Sequence, residues 1–310
     1  MREAVNGRSI VVIGNFDGVH KGHQAVLRQA RALAAVDGSR CIVLTFDPHP
    51  SEVLGRGSKP RITTMPRRIE LLRANGADDV VVEPFTTELA AWAPERFAGE
   101  LLAGRLGARA VVVGTNFRFG HNRAGDFDTL KALGAQHGFE AVAAAMTGDA
   151  EGPFSSTRVR TALAAGDVAL ATELLGRPHS LGGIVVEGDQ RGRTIGFPTA
   201  NLDGVEEMLP AYGVYAIRID LGPAQTAGGA RASHDGVANI GMRPTVGGAS
   251  LRIEAHVFDF AGDLYGAPIR IGLVERLRGE QKFAGIDELR AQIAKDADAA
   301  RRALATKPGV

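Results

Sequence analysis

Two histidines three residues apart, His20 and His23, close the stretch Ser9-Ile-Val-Val-Ile-Gly-Asn-Phe-Asp-Gly-Val-His-Lys-Gly-His23. An apolar run precedes them, and a helical pattern starts with them. That layout gathers imidazoles and backbone N–H groups at a helix N-terminus, a place for an anion and most often for phosphate. Each imidazole can donate to a phosphoryl oxygen, neutral or protonated. Gly14, Gly18 and Gly22 remove side chains where a ligand would press on the backbone. Alone, His-x-Gly-His also reads as a metal pair or as two surface histidines. No Cys or carboxylate cluster at ligand spacing accompanies it, and the glycine-rich strand–turn context favours a nucleotide. Far along the chain lies Phe154-Ser-Ser-Thr-Arg-Val-Arg160. Ser155, Ser156 and Thr157 are N-cap types, and Arg158 is a forked donor suited to a phosphate chain. By itself that segment reads as an ordinary capped helix.

A second constellation sits in the other half. Gly188-Asp-Gln-Arg-Gly-Arg-Thr-Ile-Gly-Phe-Pro-Thr-Ala-Asn-Leu202 offers Gly192 backbone flanked by Arg191 and Arg193, a wrap for a polyphosphate. Thr199 and Asn201, two apart on an extended segment, point the same way. Their neutral hard oxygens suit Mg²⁺ that keeps water and substrate phosphates. Glu254 lies on the strand pattern Leu251–Phe258, opposite the apolar face of Leu251, Ile253, Ala255 and Val257. A lone strand carboxylate is usually only solvated, but this one is placed to enter a cleft. Two phosphate-type sites suggest two reactions.

The elements that position these residues fall into two textures. Ile10–Ile13, Cys41–Phe46, Val80–Glu83 and Ala110–Val113 are short, nearly continuous apolar runs, as in strands buried on both faces of a parallel sheet. Between them come helical faces built on Val26, Ala30 and Leu33, on Ile69, Leu72 and Arg73, and on Phe97, Leu101 and Leu102. The order predicts a doubly wound α/β domain with ligands at the carboxyl ends of its strands. Past Gly176-Arg177-Pro178 the strands alternate. Tyr215, Ile217, Ile219 and Leu221 share one face, and Ile269, Ile271 and Leu273 another, as in a small antiparallel barrel or sandwich. Leu289, Ile293 and Ala300 sit at helical spacing in a closing helix over about 287–304. The expected division is residues 1–178 and 179–310.

Length and composition fit two globular domains. A net charge of +1 draws the chain to neither nucleic acid nor an anionic membrane. The basic run Arg56–Arg68, with Pro60 and Pro66, reads as a solvated loop. No apolar segment spans a bilayer or forms a signal-peptide core. The single Cys41 reads as a small buried residue, consistent with a reducing, cytoplasmic setting. The sequence does not fix an oligomeric state; a homo-oligomer fits it.

Several segments together resemble a known family. Gly14-Asn-Phe-Asp-Gly-Val-His-Lys-Gly-His-Gln24, Thr45-Phe-Asp-Pro-His-Pro50, Val113-Gly-Thr-Asn-Phe-Arg-Phe-Gly120, Gly125-Asp126 and Ser155-Ser-Thr-Arg158 look like the adenylyltransferase half of bacterial bifunctional riboflavin kinase/FMN adenylyltransferases, the FAD synthetases. Gly188–Leu202 and Arg252-Ile-Glu-Ala-His-Val-Phe-Asp-Phe260 resemble the kinase half. The resemblance implies a Rossmann-like nucleotidyltransferase domain followed by an antiparallel β-barrel kinase domain with a C-terminal helix. Riboflavin plus ATP would give FMN in the second, and FMN plus ATP would give FAD and pyrophosphate in the first, with Mg²⁺. It further implies that His20, His23 and Arg158 stabilise charge on the transferring phosphates. Gly14, Phe16, Gly22 and Ser155–Thr157 would contact ATP. Asn116 would touch flavin and phosphate, and Phe46, Pro48 and His49 would line the isoalloxazine or adenine pocket. Glu254 would be the kinase base. Asp17 reads as a residue that orders its loop. Val237–Thr245, Leu264–Gly266 and Leu277–Phe283 read as scaffold and flavin-pocket walls.

Two departures are minor: His179 replaces an expected tyrosine, and Gln190 a small residue. Three other readings compete: an enzyme keeping one activity, a non-catalytic flavin sensor, and an aminoacyl-tRNA synthetase-like protein. The first two predict damaged catalytic positions, which are intact. The third lacks a basic surface signal and an anticodon-binding appendage.

Overall fold

The computed structural model describes residues 8–187, 197–221, 232–245 and 248–307. They form two compact units. One comprises the described residues up to Lys59 with Thr63–Ser155, and the other Pro60–Ile62 with Ser156 onward. The elements of the first are β1 (Ser9–Ile13), α1 (Lys21–Ala35), β2 (Arg40–Asp47), the short α2 (Pro50–Val53), α3 (Met65–Ala74), β3 (Asp79–Pro84), α4 (Thr87–Ala90) and α5 (Pro94–Arg96). A wider-wound segment, Phe97–Arg105, continues α5, and then come β4 (Ala108–Val113), α6 (Phe127–His137), β5 (Glu140–Ala143) and the small ribbon β6 (Gly148–Asp149) and β7 (Gly152–Pro153).

The sheet is parallel with order β3-β2-β1-β4-β5. Its continuous apolar runs are explained by two covered faces. Ile10, Val12, Cys41 and Val43 pack with Leu27, Ala30 and Ala34 of α1 and Leu71 and Leu72 of α3. Val11, Ile13, Leu44, Val111 and Val113 pack on the opposite side with Phe97, Leu101, Leu102 and Leu130. Cys41 is buried on the α1 and α3 side, and burial raises its thiol to about 11. The chain order reverses between β1 and β4, the switch point at which such sheets open a crevice. The segments after β1, β2 and β4 are those that carry Gly14–His23, Asp47–Pro50 and Gly114–Gly120.

On α1 the buried positions are Leu27, Ala30 and Ala34, with Val26 and Leu33 half-buried against the same core as expected. On α3 they are Arg68, Leu71 and Leu72, while Arg73 is exposed. The basic run does not end in a solvated loop either. Pro66 sits in the first turn of α3, where it is tolerated, and Arg68 is buried because a carboxylate awaits it.

In the second unit, α7 (Ser156–Ala165) and α8 (Val168–Leu175) precede β8 (His179–Val186), β9 (Ala200–Asp203), β10 (Gly213–Leu221), β11 (Ala232–Thr245), β12 (Gly248–Val257), β13 (Pro268–Arg278) and α9 (Ile286–Thr306). The strands close into an antiparallel barrel in the order β10-β11-β12-β9-β8-β13. Tyr215, Ile217, Ile219 and Leu221 are fully buried, and Ile253, Ala255, Ile269, Ile271 and Leu273 are buried with them. Leu251 departs from the expected face pattern, being exposed. The other face of β10 is also covered. Val214 and Ala216, with Val237 and Val274, meet Ala297, Ala300, Ala303 and Leu304 of α9. Arg218 helps hold α9 by donating to the Leu304 carbonyl at 3.0 Å and to the Lys307 carbonyl, the usual use of a cation at a helix C-terminus. His179, in place of the expected tyrosine, is buried and bonds the Met208 carbonyl at 2.8 Å. No helix among the described residues is long and apolar enough to cross a membrane.

Candidate active site

The turn after β1 is built around Asp17. Its Oδ1 accepts from the Thr63 backbone N–H at 3.0 Å, the Thr63 hydroxyl at 3.2 Å and Arg68 Nη2 at 3.1 Å. Thr63 Oγ1 accepts in turn from the Gly18 N–H, and Arg68 Nη1 donates to the Asn15 carbonyl. Asp17 and Arg68 are both buried, and leaving either without the other costs on the order of 3–5 kcal/mol. Asp17 thus orders the loop, as expected of it. The loop needs that anchoring: Phe16 and Val19 adopt positive φ values of 51° and 42° beside Gly18 at 85°. A β-branched residue there is strained and persists only where its surroundings hold it.

This turn delivers His20 to the N-cap of α1. His20 Nδ1 accepts from the His23 N–H at a long 3.4 Å. An accepting Nδ1 leaves the proton on Nε2, which becomes the donor. The His20 and His23 rings stack with centroids 3.6 Å apart, and Phe16 meets His23 edge-on at 5.0 Å. His23 Nδ1 is buried with no hydrogen-bond partner. Burial, then the neighbouring His20 and Arg68, hold His23 well below its ordinary value. It is neutral at pH 7, and an anion brought beside it favours the proton again.

Gly22 between them is required by contact. A Cβ there would lie 3.0 Å from Cε1 and Nδ1 of the His20 ring and 3.1 Å from the Phe154 carbonyl oxygen. Gly22→Ala would therefore press on the His20 ring by a few tenths of an ångström. Gly14 likewise approaches the Phe16 ring, at 3.1 Å for a Cβ.

The loop after β2 turns at a cis Asp47–Pro48 bond. His49 caps α2, accepting the Ser51 N–H at Nδ1 (3.1 Å), and its Nε2 lies 2.9 Å from the Asn15 amide. This joins the β1 and β2 loops. Phe46 packs edge-on against Phe85 at 5.7 Å, and Pro48 is exposed. After β4, Asn116 is exposed, with Oδ1 3.1 Å from a Cβ on Gly114. The Phe119 and Gly125 backbones pair in both directions and close that loop. A Cβ on Gly125 would strike the Phe119 ring at 2.7 Å. Asp126 caps α6, and the Thr129 bonds followed by Arg118 hold its carboxyl down to about 2. Ser155 ends the first unit; Ser156, Thr157 and Arg158 open α7 in the second.

On the barrel, Thr199, Asn201 and Glu254 meet at one cavity of about 330 Å³, a size suited to a small ligand. Glu254 pairs across the ladders with Asn201 on one side and Asn239 on the other. Arg252, Glu254 and His256 share its face, away from Ile253 and Ala255. His256 Nδ1 bonds the Pro198 carbonyl at 2.7 Å, and its ring meets Phe197 at 5.5 Å. Leu289, Ile293 and Asp296 of α9 also line the cavity, with Glu280, Gln281 and Phe283. Arg278 grips Asp296, Nη2 to Oδ2 at 2.8 Å, and Gln292 bonds the other oxygen. Arg191, Gly192 and Arg193 lie outside the described residues.

The sequence reading missed Asn15 and Arg68 in the first site and Arg252, His256 and Asp296 in the second, while Arg278 falls in the Leu277–Phe283 segment read as a pocket wall. Strand alternation marks Arg252 and His256, which stand two residues either side of Glu254. Asp296 has no such signal: it is one polar position on an otherwise ordinary helix face.

A switch-point histidine pair on a parallel sheet, together with a carboxylate and neutral oxygens in a barrel cavity, defines a protein with two phosphate-handling units. The comparisons agree with that class and narrow it. An FAD synthetase family model matches residues 2–158, and a riboflavin kinase model matches residues 175–304. Bifunctional riboflavin kinase/FMN adenylyltransferase of Escherichia coli K12 is 40% identical over 301 residues, covering 96% of this chain and 94% of its own. The Bacillus subtilis protein of the same description is 39% identical, covering 95% and 92%. A solved structure described as a macrolide-efflux protein from Streptococcus pneumoniae superposes with a TM-score of 0.86 at 31% identity, covering 97% and 96%. The chain belongs to the bifunctional riboflavin kinase/FMN adenylyltransferase family, with the adenylyltransferase in its N-terminal half and the kinase in its C-terminal half.

Proposed function

We propose that each reaction is carried by the residues of one site, with residues 1–178 forming FAD and residues 179–310 forming FMN. The observation that carries this reading is the meeting of Glu254, Thr199 and Asn201 at one cavity, apart in the sequence from the His20–His23 pair. In the kinase half, Glu254 takes the proton of the ribityl 5′-hydroxyl as that oxygen attacks the γ-phosphorus of ATP. The bond to the β-phosphate oxygen breaks and ADP leaves. Such transfer needs mainly alignment and charge neutralisation. Arg191, Gly192 and Arg193 wrap the polyphosphate.

The Thr199 hydroxyl and the Asn201 carbonyl fit Mg²⁺ by donor chemistry. Arg252 engages one lone pair of the Asn201 oxygen at 3.2 Å, and a carbonyl has two. Two neutral oxygens leave the remaining positions to water and phosphate, as Mg²⁺ favours. When bound, the ion neutralises charge on the ATP phosphates. Thr199→Ala and Asn201→Ala are therefore expected to raise the Mg²⁺ concentration needed for half-maximal FMN formation while FMN adenylylation keeps its requirement. Equal shifts in both reactions would remove these residues from the kinase site.

In the adenylyl half, an FMN phosphate oxygen attacks the α-phosphorus of ATP and pyrophosphate leaves. The nucleophile is already ionised, so no strong base is needed. His20 donates from Nε2, and His23 and Arg158 add donors as charge grows on the transferring and leaving groups. Gly14, Phe16, Gly22 and Ser155–Thr157 form the ATP cradle. Asn116, Phe46, Pro48 and His49 meet the flavin. The free, buried thiol and the demand for ATP fit a cytoplasmic enzyme.

A further inference from the structure

Arg252 touches two groups that have separate tasks in the kinase half. Its Nε lies 3.1 Å from Glu254 Oε1 and 3.2 Å from Asn201 Oδ1. Nε donates to the Asn201 amide oxygen and makes an ion pair with the Glu254 carboxylate. The arrangement follows from the strands. Positions 252 and 254 are two apart on β12 and face the same side, and Asn201 stands directly opposite Glu254 on β9. All three line the cavity, with the Arg252 and Glu254 side chains 22% and 27% exposed.

We infer that Arg252 is a positioning residue for riboflavin phosphorylation. Its guanidinium, bonded to Asn201 and ion-paired with Glu254, fixes the base and the metal-ligand oxygen relative to each other, so that hydroxyl and phosphate are addressed in one alignment. This rests on the assignment of Glu254 as base and Asn201 as ligand. With Oε1 held by Arg252, Oε2 is the oxygen turned to the substrate. A lysine supplies the charge without the fixed, planar N–H.

The test uses the full chain, with FMN adenylylation as the control for folding. Arg252→Gln is expected to lower kcat for riboflavin phosphorylation by about 10²-fold, with the riboflavin KM nearly unchanged and adenylylation at the wild-type rate. Arg252→Lys, which keeps the charge, should recover part of kcat. In a Glu254→Gln background, Arg252→Gln should add little further loss, because the two act as a unit. A wild-type kcat for Arg252→Gln would overturn the inference. So would a loss expressed wholly as a higher KM for ATP, since that marks a group that binds phosphate directly. If Glu254→Gln itself leaves the kinase intact, the site assignment fails instead, and the two failures are told apart.

Discussion

Replacing Glu254 by Gln is expected to abolish most riboflavin phosphorylation, by about 10²–10⁴-fold in kcat, the range for losing a general base. Gln keeps the shape and one oxygen for Arg252, so packing around the cavity is preserved. It cannot take the proton of the ribityl hydroxyl. The effect is large because no second carboxylate faces Glu254 across its ladders: its neighbours there are Asn201 and Asn239. Glu280 and Asp296 line the same cavity, but Asp296 is held by Arg278 and Gln292. FMN adenylylation should proceed at the wild-type rate. Separating the flavins by chromatography after incubation with riboflavin, ATP and Mg²⁺ checks the first part. The same assay started from FMN checks the second.

The counterpart is His23→Ala, expected to lower FMN adenylylation by about 10²–10³-fold, the usual loss for one preorganised donor to developing charge. His23 stacks on His20 and is bordered by Phe16, so the variant also loosens its partner. Riboflavin phosphorylation, carried by the other unit, should not change. A pH effect accompanies it. The ordinary value for this side chain is 6.5, and the folded value is depressed. Below pH 6.5 the unfolded chain therefore binds the proton more readily than the folded one. Stability present above pH 6.5 falls as the pH drops through that value, and stops falling once the pH is below the folded value. His23→Ala should lose that share of the acid sensitivity. Trp92, the single tryptophan, lies in the same unit. Its fluorescence during denaturant unfolding at pH 8 and pH 5 measures the difference. An identical acid sensitivity in both proteins would contradict a neutral, buried His23.

Much of this was legible because strand burial writes itself into sequence period. Ile10–Ile13 and Cys41–Phe46 are nearly continuous apolar runs since helices cover both sheet faces. Tyr215, Ile217, Ile219 and Leu221 alternate because one face fills a barrel. The barrel's second layer was less visible. Val214 and Ala216 meet the small residues of α9, and a stripe of alanines carries little hydrophobic signal. Arg68 misled because charge alone marks a solvated position; its burial depends on Asp17, fifty-one residues earlier, and on a loop geometry that no local pattern encodes. Leu251 misled in the opposite way, since alternation assigns a face but not where that face runs out at a barrel end. At the sites, His20, His23, Thr199, Asn201 and Glu254 were found through residue type and spacing. Arg252 and Asn15 were not, because their parts are set by contacts across β9 and β12, or between the loops after β1 and β2.

The claim that one reaction belongs to each half is tested most directly by mixing the two inactive halves of the cycle. Glu254→Gln protein and His23→Ala protein are incubated with riboflavin, ATP and Mg²⁺, singly and together, and the flavins are separated. Alone, Glu254→Gln should leave riboflavin unchanged and His23→Ala should stop at FMN. Together they should produce FAD, with FMN made by one protein and consumed by the other. A mixture that yields no FAD, or a single variant that has lost both reactions while still folded, would contradict the account.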